Sequence, residues 1–443
     1  PMKLVNIHTL RFMVWFALGF GAQNATQAQT MTLQQCVETA LLNNKNLQVG
    51  RNNQNLSQLK QREAKANFLP KATASADYKF FTNLPYQLMP LSTFNPTAPE
   101  GQFKEAQFGV PHNLGINVQL AMPLYNPQIK GGINATEIAS ELNNLQVEKS
   151  EEQVIFEVTN LYYNAQILQH QLLFVDTNLV NASRLLANMK LLREQGLAKG
   201  TDIGKIELQQ AQLQTQGSQL NSKLAQVLNG LKFFMGKDLE VPLEVQTAIV
   251  QGEKNEHPVL SSVDARIVQT QNRLLANELN TVKKSRLPSV SVVVNYGLTG
   301  FGYFKQPEPF FKVFPIGFIG AQATYPLWNK TTRYQIAQKE AELESNRLQS
   351  ANVQAQNELM LANAILQKNA AAANLPASSQ QIEWAKSVYQ QTLLQQQQGT
   401  ATLTDILLAD NALREAQQNY LNLLVDYLKA DLELKKASGS IKN

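Results

Sequence analysis

One motif occurs twice in this chain at a fixed distance, and that constrains the fold more than any other feature. Residues 114–126, Leu-Gly-Ile-Asn-Val-Gln-Leu-Ala-Met-Pro-Leu-Tyr-Asn, alternate apolar with small or polar side chains and run into a long stretch of helical spacing. Residues 317–329, Gly-Phe-Ile-Gly-Ala-Gln-Ala-Thr-Tyr-Pro-Leu-Trp-Asn, do the same. The same 78 residues separate Pro123 from Thr201-Asp202-Ile203 and Pro326 from Thr404-Asp405-Ile406, so the chain is internally duplicated with an offset of 203. Each copy must supply a strand, a long helix, a turn and a second helix.

The first repeat occupies residues 29–236. Residues 31–68 have helical spacing, with Leu33, Val37, Ala40 and Leu41 on one face, and stop at Leu69-Pro70. From Lys71 to Phe81 the pattern alternates, which predicts a strand with Ala72, Ala74, Ala76, Tyr78 and Phe80 on one side. Residues 82–113 hold five prolines among Asn, Thr and Gly and read as a long exposed loop. A second strand closes a hairpin over 71–122. Its residues Leu114, Ile116, Val118, Leu120 and Met122 form one face, and Gly115, Asn117, Gln119 and Ala121 the other.

A helix is then expected over 126–195, about 100 Å long at ~1.5 Å per residue. Within it Val154, Val158, Leu161, Ala165, Leu168, Leu172, Val175, Leu179, Ala182, Leu186 and Met189 step by four and three, a coiled-coil seam. The stretch Gly196–Gly200 reverses the chain. Thr201 and Asp202 open a helix over 201–235, where a hydroxyl and a carboxylate suit the unpaired backbone N–H groups. Residues 237–256 are a linker with short strand character at Val241–Val245. The second repeat, 257–437, restates the plan. It has a helix to Leu287-Pro288, then a hairpin over 289–326 whose strand Ser289–Tyr296 leads to an aromatic, proline-rich loop at 297–315. A helix over 327–398 follows, with a kink expected at Pro376, then a turn at Gly399, a helix over 402–436 and a tail at 438–443.

Charged residues make up only 16% of the chain and the net charge is +5, so nothing here calls for a nucleic-acid partner. Lys3 and Arg11 precede an apolar run from Phe12 to Ala22, which reads as a secretory signal over 1–28. That run is too short to span a bilayer as a helix. Cys36 is the only cysteine, so no intramolecular disulfide forms. The preceding Leu33-Gln34-Gln35 lacks the small residues of a lipoprotein site, and a free thiol on a helix is expected.

The strands decide the class. Four strands of about ten residues, apolar on one face and polar on the other, fit a transmembrane barrel with a wet interior. Tyr125 and Trp328 stand near one set of strand ends and Tyr78 and Tyr296 near the other, as interfacial anchors would. Four strands cannot close, because a small barrel needs about eight. Open edges cannot face lipid, so several chains must contribute, and a trimer would supply about twelve strands. Helices of ~70 residues exceed any bilayer and must project to one side.

The Leu-Pro strand starts, the Pro123–Asn126 and Pro326–Asn329 motifs, and Gly196 and Gly399, each five residues before Thr-Asp, together resemble the TolC family of outer-membrane efflux proteins. The resemblance covers essentially the whole mature chain. It implies a mixed α and β membrane protein: a homotrimer with a twelve-stranded outer-membrane β-barrel, continued by a periplasmic α-helical coiled-coil barrel. It would sit in a Gram-negative outer membrane and conduct cargo passively, in efflux or type I secretion. Its partners would be a periplasmic adaptor and an inner-membrane RND or ABC transporter. Carried over by position, the turns at Gly196, Thr201 and Asp202 and at Gly399, Thr404 and Asp405 would form the periplasmic gate, with Asp405 in a carboxylate ring. Ala401 stands where the family's cross-tip arginine would be, Leu408 at the second acidic ring and Gln396 at a gating tyrosine. These three positions depart from the family's pattern, so closure is expected to be looser or to use other polar contacts.

No enzymatic chemistry is legible. His8, His112, His170 and His257 do not cluster at metal-ligand spacing, and no phosphate-binding loop or nucleophile elbow occurs. No catalytic residue, cofactor or metal is expected. His112 reads as a loop residue and His170 as a helix-surface residue. The alternative reading is a non-conducting coiled-coil or adhesin-like surface protein, which would need no lipid-facing sheet.

Overall fold

The computed structural model describes residues 29–93, 95–249 and 262–442. The expected signal segment, His8, His257 and parts of the linker and of the second repeat's start lie outside the described residues. In chain order the elements begin with β1 (Gln29–Met31), α1 (Leu33–Asn43), α2 (Lys45–Ala66), β2 (Lys71–Phe80), β3 (Tyr86–Pro90), β4 (Phe103–Gln107) and β5 (His112–Tyr125). The helices α3 (Pro127–Glu194) and α4 (Gly200–Phe234) follow, then β6 (Leu243–Val245) and α5 (Val263–Lys284). Last come β7 (Ser289–Tyr303), β8 (Phe310–Thr324), α6 (Lys330–Gln397) and α7 (Leu403–Ala437).

The duplication is exact in length. α3 and α6 each have 68 residues, α4 and α7 each have 35, and α2 and α5 each have 22. The asparagine that ends each repeated motif explains where the long helices begin. Asn126 Oδ1 accepts from the backbone N–H groups of Gln128 and Ile129, at 2.9 and 3.2 Å. Pro127 follows as the first helical residue, where its missing N–H costs nothing. Asn329 caps α6 by accepting from the Thr332 N–H at 3.3 Å. α6 runs through Pro376 as one helix.

The described residues form two compact units. The first contains residues 29–36 and 161–249. Here Val175, Ala182, Leu213 and Leu220 make a core, with Leu168, Leu172 and Leu179 packed on it. Their order along α3 and α4 is that of an antiparallel helix hairpin. Six of the eleven predicted seam residues are buried and none is exposed. β1 and β6 pair in parallel. Gln166 on α3 holds the chain beyond β6 by donating to the carbonyls of Gln246 and Ala248, and His170 contacts the Thr247 carbonyl at 3.0 Å. Cys36 is fully buried, and burial pushes its thiol up to about 11.

The second unit contains residues 37–160 and 262–442. Its antiparallel sheet has the order β2-β5-β7-β8, so β5 and β7 join the two repeats at the centre. Arg266–Glu148, Arg273–Glu141 and Lys149–Asp264 ion pairs tie α5 to α3. Ile155, Leu432 and Ile441 form a small core with Val37, Leu41 and Phe156 around it.

Three sequence expectations need correction here. Residues 82–113 are not simply loop, because β3 and β4 pair as a hairpin of their own between Tyr86 and Gln107. Residues 297–315 are mostly strand: β7 continues to Tyr303 and β8 starts at Phe310. Pro315 is tolerated because β8 is an edge strand. His112 opens β5, where its ring accepts or donates at 2.6 Å to the Tyr78 hydroxyl and packs on Phe80 and Phe304.

Candidate functional site

Register fixes which side chains share each face of the four-stranded sheet. Val118 pairs with Ala74 on one side and Tyr296 on the other, and Leu120 pairs with Ala72 and Val294. Continued into β8, this face gathers Ile319, Pro315 and Val313. All of these are apolar, and the row on β5 lies open, with Ile116 42% and Val118 50% exposed. The opposite face carries Thr73, Ser75 and Asp77 on β2, Asn117 and Gln119 on β5, and Asn295 and Thr299 on β7, while β8 at its edge adds exposed Phe314, Ile316 and Phe318. A wide apolar surface with nothing covering it marks an interaction with lipid or protein. No described helix is long and apolar enough to cross a membrane.

On the polar face, glycines keep the surface low. The Asp77 carboxylate lies across Gly115, where an added Cβ would come within 2.6 Å of it, and Asn117 lies across Gly297 in the same way. Side chains that lie flat leave the space above the sheet free.

The two helix-hairpin turns share a backbone design. At the first, Gly196 has φ +75°, its N–H donates to the Arg193 carbonyl, and the Leu197 N–H reaches back to the Leu192 carbonyl at 2.8 Å. At the second, Gly399 has φ +73°, with the matching bonds from Gly399 to Gln396 and from Thr400 to Gln395 at 2.9 Å. This is the paired-bond ending that a left-handed glycine permits.

The helix starts differ. The α7 cap is Thr402. Its hydroxyl accepts from the Asp405 N–H at 3.3 Å, while Asp405 Oδ2 accepts from the Thr402 N–H at 2.8 Å. These reciprocal bonds form a capping box, and the hydrogen bonds from Thr402 hold the Asp405 carboxyl below its ordinary range. α4 has Lys199 at the equivalent place and no side-chain cap. Thr201 and Asp202 therefore do not cap α4, which corrects the expectation. They lie inside its first turn, where Asp202 favours the helix dipole and stands 3.9 Å from Lys205. Thr404 likewise lies within α7 rather than at its cap. Ala401 is half-buried beside the turn, and Leu408 is exposed one turn into α7.

Comparison with known proteins places this arrangement. The family model for the outer membrane efflux protein matches residues 268–440. Over that stretch the chain is similar to the outer membrane efflux protein family. The matched stretch holds β7, β8, α6 and α7, and the first repeat restates it at equal helix lengths. No curated protein sequence matches. Solved structures carry the same fold over nearly the whole length. The outer membrane protein VceC of Vibrio cholerae aligns with a TM-score of 0.74 at 16% identity, covering 92% of this chain and 96% of that one. The CmeC outer membrane channel of Campylobacter jejuni gives 0.74 at 14%, covering 99% and 94%. The open state of the MtrE outer membrane channel of Neisseria gonorrhoeae gives 0.71 at 14%, covering 92% and 88%.

The expected anchors divide. Tyr125 ends β5, Trp328 lies just beyond β8 and is 89% exposed, and Tyr78 lies near the far end of β2. Tyr296 is not at a strand end. It sits opposite Val118 near mid-strand, because β7 continues seven residues further, and Tyr303 and Phe310 pair at the actual end. The capping difference is directly testable. Thr402→Ala should destabilise the second hairpin by about 0.5–2 kcal/mol, and Lys199→Thr should build the missing box with Asp202 and stabilise the first. Thermal unfolding followed by helix circular dichroism reads both, and equal melting temperatures across all three proteins would contradict the cap assignment.

Proposed function

We propose that three copies of this protein form an outer-membrane exit duct, with each chain giving four strands to a twelve-stranded barrel whose lumen is the Gln119 face. The observation that carries this is a four-stranded sheet, apolar and exposed on the Val118 face and polar over β2, β5 and β7 on the Gln119 face, whose outer strands β2 and β8 each leave one edge unpaired among the described residues. Such edges cannot face lipid, and four strands are about half of what the smallest barrel needs. Another copy's edge is a self-consistent partner. The long helices then continue the conduit on the periplasmic side, where a periplasmic adaptor and an inner-membrane pump would deliver cargo.

Asp405 is assigned to the periplasmic gate. Its carboxylate is exposed and kept ionised by Thr402, so three copies near one axis would concentrate negative potential and favour cations. Ala401 and Leu408 add no charge there, which makes the opening less firmly latched than one closed by ion pairs. Gly196, Thr201 and Asp202 serve the other hairpin tip as turn and dipole residues.

The test is purification in detergent followed by planar-bilayer recording. A trimer by light scattering that conducts with cation preference is expected, and Asp405→Ala should lower that preference and relieve block by multivalent cations. A conducting monomer would overturn the assembly, and unchanged selectivity would remove Asp405 from the pore. A trimer with no conductance would favour the structural coiled-coil reading.

A further inference from the structure

The two hairpins of the sheet differ at the end away from the helices. β7 and β8 are joined by the short segment 304–309, whereas β2 and β5 are separated by 81–111, which holds β3 and β4. The root of this extra hairpin is pinned. The Phe81 N–H donates to the Pro111 carbonyl at 2.8 Å, the Phe108 N–H to the Pro85 carbonyl at 3.4 Å, and the Gln107 side-chain amide to the Leu84 carbonyl at 3.4 Å. Gly109, at φ +102°, supplies a backbone conformation that few other residues adopt.

A cavity of about 370 Å³ shows which face the root covers. Leu84, Pro85 and Phe108 line it from the hairpin, and Asp77, Gly115 and Thr299 from the sheet. Asp77, Gly115 and Thr299 are direct cross-strand partners forming one row across β2, β5 and β7. That row is on the polar face. The hairpin therefore rises from its root over the side that carries Gln119, not the side that carries Val118. Its residues Tyr86, Leu88 and Phe103 share one face by register and are exposed.

We propose that β3 and β4 form an inward flap that narrows the exit mouth of the duct. This rests on the polar face being the lumen. Three copies would bring nine large apolar side chains from Tyr86, Leu88 and Phe103 to one opening, where pore width and apolar lining both restrict what passes. The flap limits large polar molecules entering from outside, independently of the periplasmic tip.

The experiment is thiol labelling of intact cells from the outside, using Gln119→Cys as the lumenal reporter. The native Cys36 is buried with its thiol pushed to about 11 and stays unreactive at neutral pH. A small maleimide is expected to label the reporter at the same rate with the flap intact or with residues 86–107 replaced by a short Gly-Ser link. A maleimide on a protein-sized polyethylene glycol should label the flapless form at least about tenfold faster. Equal rates for the large reagent would overturn the flap while leaving the duct standing. No labelling by the small reagent would overturn the lumenal face itself. Should the flapless protein fail to assemble, the pair Leu84→Cys with Thr299→Cys keeps the proposal testable. It should cross-link within each chain of assembled trimers, and absence of that cross-link would refute the inward position.

Discussion

Replacing Val118 by Arg should strongly reduce assembled trimer in the outer membrane, while replacing its neighbour Gln119 by Arg should leave assembly intact and change ion selectivity. Val118 lies near the middle of β5, half-exposed, with only the methyl of Ala74 beside it on one side and Tyr296 on the other. A charge there meets hydrocarbon and costs about 2–4 kcal/mol per chain at the bilayer midplane. Each trimer carries that cost three times. Gln119 points to the opposite face, where Thr73 and Asn295 are its cross-strand partners and where an added cation remains in water. Native gels of the membrane fraction measure the first effect and bilayer reversal potentials the second. Equal loss of trimer in both variants would mean that the faces are assigned the wrong way or that neither faces lipid.

The helices were legible because their signals are redundant. An uninterrupted apolar seam, a glycine turn and a second copy at the same spacing all point to one boundary, and α3 begins and ends within a residue of the expected 126–195. The strands were legible in their inner halves, where alternation is strict. Their outer halves were not, because Gly297, Gly300 and Gly302 look like loop residues in isolation. In the fold they are places where a neighbour's side chain lies flat, Asn117 over Gly297 and Phe311 over Gly300 and Gly302. That compensation crosses strands and leaves no local pattern. The flap was hidden for a similar reason, since five prolines conceal two five-residue strands.

At the tips the duplication itself misled. Thr-Asp-Ile is identical in both copies and drew the first cap to Thr201 and Asp202, yet the difference that matters lies upstream, where the second copy has Thr402 at the position of Lys199. The Thr-x-x-Asp spacing of a capping box was present at 402–405 and could have been read.

The second large effect is expected in the α6–α7 pair. Asp431 on α7 is buried between two lysines, with Lys368 Nζ at 2.6 Å and Lys435 Nζ at 3.1 Å. Burial alone would raise its carboxyl. Hydrogen bonds and charge from Lys368 and Lys435 outweigh that and hold it below the ordinary value. Removing the anion by Asp431→Ala leaves the Lys368 ammonium in a site that is itself mostly closed to water, and breaking one side of a buried pair costs about 3–5 kcal/mol. Lys368→Met should cost less, because Lys435 still neutralises Asp431. The double variant Lys368→Met with Asp431→Leu should recover much of the loss, since an apolar pair of similar volume needs no counter-charge and the half-exposed Lys435 can turn to solvent. The pH dependence follows from the depressed carboxyl. Its stabilisation is fully present above the unfolded carboxylate range near about pH 4 and is lost as pH falls through the lower folded value, so acid unfolding should be shallower without Asp431. Thermal and acid unfolding of the detergent-solubilised variants, followed by helix circular dichroism, would show this. Midpoints for Asp431→Ala matching the parent protein would mean that the triad contributes nothing to holding the two helices together.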